Sequence, residues 1–251
     1  LGVCVIVCEI GLNHNGDTKY ADKYLDFLLQ QDIDAITFQI REPEFYLHAE
    51  KSHLSLSLEY YSKARDKVRH AGKKIGIALS DISLLSFFES INIDFYKIIR
   101  NDPNDKDFLN MFLSATNKSI FISTGMCSIE RIDEIANYND NRISLIHTQL
   151  SNDINNVNLT MIKTLQNRYN QSVAYGHHCE NINVLYLSLT YNISDIFFYV
   201  KGNMLKYHPD ENHAVQLDNI TDIVSNLKTL PLSIGNGVKL KTSNTIKGQD
   251  I

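Results

Sequence analysis

The sequence predicts a single (β/α)8 barrel. Short apolar runs alternate with longer amphipathic ones almost without interruption along 251 residues. Eight strand–helix units of about 30 residues each fit a closed barrel better than an open sheet. Polar residues also gather where the apolar runs end, as at the C-terminal rim of such barrels. The clearest case is Cys8-Glu9-Ile10-Gly11-Leu12-Asn13-His14-Asn15-Gly16, which follows the apolar run from Val3 to Val7 and precedes a helical pattern after Asp17.

In chain order, strands are expected over 3–10, 34–40, 75–79, 94–99, 119–123, 143–148, 172–176 and 195–200. Helices are expected over 18–31, 57–71, 82–91, 105–115, 129–137, 157–168, 180–191 and 218–229. The first helix sets Tyr20, Ala21, Tyr24, Leu25 and Leu28 on one face, and the fourth does so with Phe108, Leu109, Phe112 and Leu113. The last does so with Ile220, Ile223, Val224 and Leu227, again at the i, i+3, i+4 spacing of a helix packed on one side. Residues 42–56 read as the one long loop, and 231–251 read as a linker-like tail after a barrel over 1–230. A doubly wound sheet is disfavoured because the first turn, Gly11 to Gly16, does not match GxGxxG.

Composition narrows the function. A net charge of −5 and the absence of any Lys/Arg run longer than two residues argue against nucleic acid and against a basic membrane surface. Cys4, Cys8, Cys127 and Cys179 form no CxxC pair and no zinc-like spacing, which points to a reduced, cytoplasmic setting. The first apolar run is too short to span a bilayer.

The rim follows from the strand ends: Glu9 and Asn13-His14-Asn15, then Gln39 and Arg41, Ser80 and Asp81, and Lys97, Arg100 and Asp102. Ser123 and Thr124, His147 and Gln149, His177 and His178, and Lys201 complete it. A carboxylate, a lysine and histidines at one mouth suit an anionic substrate, acid–base chemistry or a metal. Each has a plainer reading: Lys97 as a salt-bridged residue and His147 as a hydrogen-bonded core residue. His177 and His178 are adjacent in a strand and face opposite ways, so at most one is a ligand. Glu9, a carboxylate within a buried strand, is costly unless partnered and is the strongest site candidate.

Several segments resemble the sialic acid (N-acetylneuraminate) synthase family. Cys8 to Asp17 resembles its AEIGxNHNG opening, Asp34 to Gln39 its DAVKFQ strand, and Ile122 to Met126 its LSTGM strand. Leu145 to Thr148 with Asn158-Leu159 resembles LLHC…NL, Tyr175 to His178 a changed SDH, and Gly235 to Lys239 the GxGxK lead into a linker. The resemblance implies condensation of phosphoenolpyruvate with an N-acylmannosamine-type sugar to a nonulosonic acid, aided by divalent Mn or Mg. It implies Glu9 and Lys97 as catalytic residues, and Asn13, Gln39, Ser123, Arg100 and Asp102 as substrate-binding ones. His178 would be one metal ligand, and a homodimer is among the assemblies implied.

Departures from the family pattern accompany these matches. Thr37 stands for a lysine, Ala78 for a threonine, and Arg100-Asn101-Asp102 for SGE. Gly176 stands for the serine before the metal histidine, Gly202 for the second metal histidine, and Asn212 beside His213 for the GPDH aspartate. His177, His208 and His213 are the histidines left to replace the lost ligand. No counterpart of the family's small C-terminal antifreeze-like domain is expected in the sequence. Two other readings stand beside synthesis: a divergent paralogue that binds a sugar or small anion, and a non-enzymatic partner of an intact synthase.

Overall fold

The structure is a computed structural model that describes residues 4–99, 106–203, 207–235 and 237–239. Arg100 and Asp102, read above as substrate-binding, lie outside the described residues.

Eight strands run parallel in sequence order: β1 Val5–Gly11, β2 Ala35–Ile40, β3 Lys74–Leu79, β4 Phe95–Ile98, β5 Ser119–Ser123, β6 Ile143–His147, β7 Val173–His177 and β8 Asp195–Lys201. β1 pairs with β8, from Val5↔Asp195 to Glu9↔Tyr199, and so closes the (β/α)8 barrel. A two-residue strand, β9 Val215–Gln216, adds to the outside of β8 through Val200 and Lys201.

The surrounding helices are α1 Thr18–Leu28, α2 Pro43–Tyr46, α3 Leu58–His70, α4 Leu85–Ser90, α5 Lys106–Ala115, α6 Ile129–Ala136, α7 Thr160–Tyr169, α8 Asn183–Ser188 and α9 Ile220–Thr229. Side-chain caps fix three starts: Asp17 accepts from the Lys19 and Tyr20 amides, Ser57 from Tyr60, and Ser128 from Arg131. The apolar faces expected on α1 and α9 are buried as expected; on α5, Leu113 is only partly buried.

Several boundaries move: α1 ends at Leu28 rather than 31, α4 begins at Leu85 rather than 82, and α8 spans Asn183–Ser188 rather than 180–191. α7 starts at Thr160 rather than 157, because Asn158 has φ 49°, a left-handed value no helix admits. The 42–56 segment is not plain loop: Pro43 presets the first turn of α2, and a 3-10 turn follows at Ser52–Leu54. The stretch read as a tail opens with a 3-10 turn, Leu230–Ile234.

Strand side chains alternate, and the barrel sorts them accordingly. Val7, Ala35, Phe95, Ile146, Ala174 and Phe197 form an interior cluster, with Phe121 packed edge-on between Phe95 and Phe197. The barrel is therefore plugged by aromatic rings, and the next layer toward the C-terminal mouth carries the polar groups.

Candidate active site

Two residues above the aromatic plug, Glu9 and Lys97 meet across the barrel. Lys97 Nζ donates to both carboxylate oxygens of Glu9 at 2.7 Å, and both side chains are almost wholly buried, at 2% and 4% exposure. Thr37 Oγ1 donates to Glu9 Oε2 at 3.4 Å from the position where a lysine was expected. Lys97 also lies 5.2 Å from the Phe197 ring centre and 5.5 Å from that of Tyr199. A β-bulge between Glu9 and Gly11 shifts the register with β2, and after the last pair, Gly11↔Phe38, the chain enters the Asn13-His14-Asn15 turn.

That turn is an anchor. Asn13 is fully buried: its Nδ2 donates to Val200 O at 2.8 Å and its Oδ1 accepts from the Asp210 amide at 3.1 Å. It fastens the segment after β8 to β1 instead of facing a ligand with its whole amide. His14 Nδ1 accepts from the Gly16 amide, so its proton sits on Nε2, and burial pushes its pKa down to about 3.

Gln39 accepts from the Tyr199 hydroxyl at 3.3 Å. Tyr199 packs edge-on against the imidazoles of His178 and His213, which stack on each other with ring centres 4.2 Å apart and planes at 27°. Burial pushes the pKa of His178 well down, and burial with nearby Lys97 and Lys201 pushes that of His213 down to about 4, so both rings are neutral at pH 7. Asp210 Oδ1 stands 3.7 Å from His213 Nε2, while Asp210 Oδ2 and His213 Nε2 are buried with no hydrogen-bond partner among the described residues. Burial, with the Glu9 carboxylate beside it, pushes the Asp210 carboxyl up to about 7. A cleft of about 290 Å³ opens over these groups between Leu150, Asn152, Tyr207 and Asn212.

A raised native pKa makes the folded protein bind the Asp210 proton more tightly than the unfolded chain, whose aspartates titrate near ~3.9. This contribution to stability is present below pH ~4 and is lost as pH rises through about 7. The difference in unfolding free energy between wild type and Asp210→Asn should therefore fall steadily across that window in urea titrations. A difference that stays flat with pH would overturn this assignment.

The other rim residues divide clearly. Ser123 ends β5 and is half-buried. His147 lies on the outward face and bonds Val157 O at 3.0 Å, so its core reading holds. His177 is outward as well, 3.3 Å from the Tyr175 hydroxyl, which leaves His178 as the inward member of the pair. Arg41 is paired with Glu42 and stacked on Phe45, and Lys201 is paired with Glu211. Asp81 caps the turn at Ser83, and Thr124 bonds Ile146 O.

Tyr199, Asp210 and the stack on His213 were missed. Tyr199 was legible, since it lies two residues beyond inward-facing Phe197. The family aspartate falls at Asn212, whereas the acid of this segment that reaches the site is Asp210, whose amide is held by Asn13.

The metal expected at His178 does not fit the residues present. An imidazole nitrogen binds a metal in the plane of its ring, about 2.0–2.1 Å away. His178 has one imidazole beside it, that of His213 with ring centres 4.2 Å apart, whereas a catalytic metal usually takes about three protein ligands. Among the described residues no group of three or more His, Cys, Asp or Glu is arranged to hold a metal. No helix among them is long and apolar enough to cross a membrane.

Comparison with known proteins agrees with this architecture. The N,N'-diacetyllegionaminic acid synthase of Campylobacter jejuni is 22% identical over 277 residues, covering 98% of this chain and 82% of its own. An uncharacterized protein of Methanocaldococcus jannaschii is 26% identical over 249 residues, covering 94% of this chain and 73% of its own. The crystal structure of the N-acetylneuraminic acid synthetase of Leptospira borgpetersenii has a TM-score of 0.86 at 18% identity, covering 96% of this chain and 88% of that one. The family model described as the NeuB family matches residues 22–239, most of the barrel, and the chain belongs to that family.

Proposed function

We propose that this chain is a synthase of acylamino-sugar biosynthesis, condensing phosphoenolpyruvate with an N-acylmannosamine-type sugar to a nonulosonic acid. The observation that carries the reading is the buried Glu9–Lys97 couple at the barrel mouth, with Gln39, Tyr199 and Asp210 around it. In this reading C3 of phosphoenolpyruvate attacks the sugar aldehyde, water adds at C2, and phosphate leaves. Lys97 binds the anionic partner and Glu9 holds the lysine in place and faces the sugar. Ser123 and Gln39 bind substrate oxygens. Asp210, which titrates near neutrality, gives a proton to the aldehyde oxygen as the bond forms.

A second reading, sugar binding without turnover, is favoured by one observation. The described cations at the mouth, Arg41, Lys97 and Lys201, each already have a carboxylate partner. A phosphate would have to compete with Glu9 for Lys97.

One assay separates the two. Purified chain given phosphoenolpyruvate and N-acetylmannosamine, or another N-acylhexosamine, is expected to release inorganic phosphate only when the sugar is present. Loss of a positioned cation costs roughly two to three decades of rate, so Lys97→Ala should lose the activity to that extent. No release with any sugar, together with a sugar-dependent rise in Tm, would replace synthesis by binding.

A further inference from the structure

We propose that this chain works without a divalent ion, because a tyrosine–histidine network anchored on α1 occupies the place of the family's second metal ligand. The inference rests on the family reading of the site, in which that ligand falls at Gly202.

The space at Gly202 is taken. A Cβ built there overlaps the Tyr20 hydroxyl and lies 3.1 Å from two carbons of the Tyr20 ring. Any side chain at 202, a histidine above all, must displace that ring. The ring is held: Tyr20 is 4% exposed, its hydroxyl is 2.8 Å from His208 Nε2, and its ring centre is 4.8 Å from that of Tyr24. The Gly202 amide itself donates to the Tyr24 hydroxyl at 2.8 Å.

Of the histidines left to replace a ligand, His208 is fully engaged. His208 Nε2 faces Tyr20, and its Nδ1 is 3.0 Å from Glu211 Oε2, while the other oxygen of Glu211 takes Lys201 at 2.6 Å. Both nitrogens of His208 are therefore in use. His177 faces the helix layer beside Tyr175, and His213 is stacked on His178.

The neighbouring departure is matched in the same way. A Cβ at Gly176, where the family has serine, would come within 2.5 Å of Thr148 Oγ1, and that hydroxyl donates to Gly176 O at 2.5 Å. Simple loss of a ligand and of the serine beside the other would leave voids, which folded proteins avoid. Here both spaces are filled, and the filling groups are hydrogen-bonded. With Asn13, the network fastens the segment after β8 directly to the first strand and first helix, and so positions Asp210.

The test reads metal and stability separately from turnover. The 251-residue chain equilibrated with Mn²⁺ and desalted is expected to retain far less than one equivalent, and its Tm should be the same in Mn²⁺ and in EDTA. One equivalent retained, and lost in His178→Ala, would overturn the proposal. A double-mutant cycle probes the occupied space. Gly202→Ala should lower Tm by several degrees in the wild-type background and by much less when combined with Tyr20→Ala; strictly additive effects would also overturn it. Phosphate release in EDTA would support both this proposal and the synthase reading. No release, with no metal retained, would remove the synthase reading alone.

Discussion

Lys97→Met is expected to destabilise the protein by about 3–5 kcal/mol, because it strands the Glu9 carboxylate in the barrel interior. For a domain of this size that corresponds to a fall in Tm of roughly 6–20 °C. The reasoning is specific to the geometry. Both Glu9 oxygens take Lys97 Nζ at 2.7 Å, Thr37 is the one further donor to them among the described residues, and the pair is almost fully buried. Glu9→Gln/Lys97→Met, which removes both charges, should recover much of the loss, since a buried pair replaced whole is often close to neutral. Chemical denaturation of the single and double variants measures this. If the single variant is as stable as wild type, the couple is not closed in solution, and the fixed partnership assigned to Glu9 is wrong.

The second large effect is expected at Gly16. This residue ends the Asn13-His14-Asn15 turn with φ +72°, and a Cβ there would overlap the carbonyl oxygen of His53 and come within 3.3 Å of that of Ser55. Both obstacles are backbone atoms, so no side-chain rearrangement relieves them. Gly16→Ala combines an unfavourable left-handed conformation with displacement of the 3-10 turn at Ser52–Leu54, and should cost about 2–4 kcal/mol. Limited proteolysis should show faster cleavage within 47–56 in the variant. Cleavage there at the wild-type rate would mean that Gly16 does not pin this segment over the turn.

Much of the scaffold was legible because it rests on local periodicity. Strand alternation by itself sends Glu9, Gln39, Lys97 and His178 toward one interior, and the same rule sends His147 and His177 toward the helices. The faces of α1 and α9 were legible from 3.6-residue spacing. What alternation does not contain is who meets whom across the barrel. Glu9 and Lys97 are 88 residues apart, and Tyr20 and His208 are 188 apart.

The sequence by itself determined the barrel, its order of strands and helices, and the set of polar residues delivered to the mouth. Periods of two and of about 3.6 residues are properties of the chain that survive without knowledge of its partners. Only the tertiary structure decided what those residues do to one another. It locked Lys97 onto Glu9, brought Asp210 rather than position 212 to the site, and gave the space at Gly202 to Tyr20. Those outcomes depend on strand register, barrel closure and the path of the segment after β8, which bring distant residues within a few ångströms, and no spacing along the chain encodes such distances.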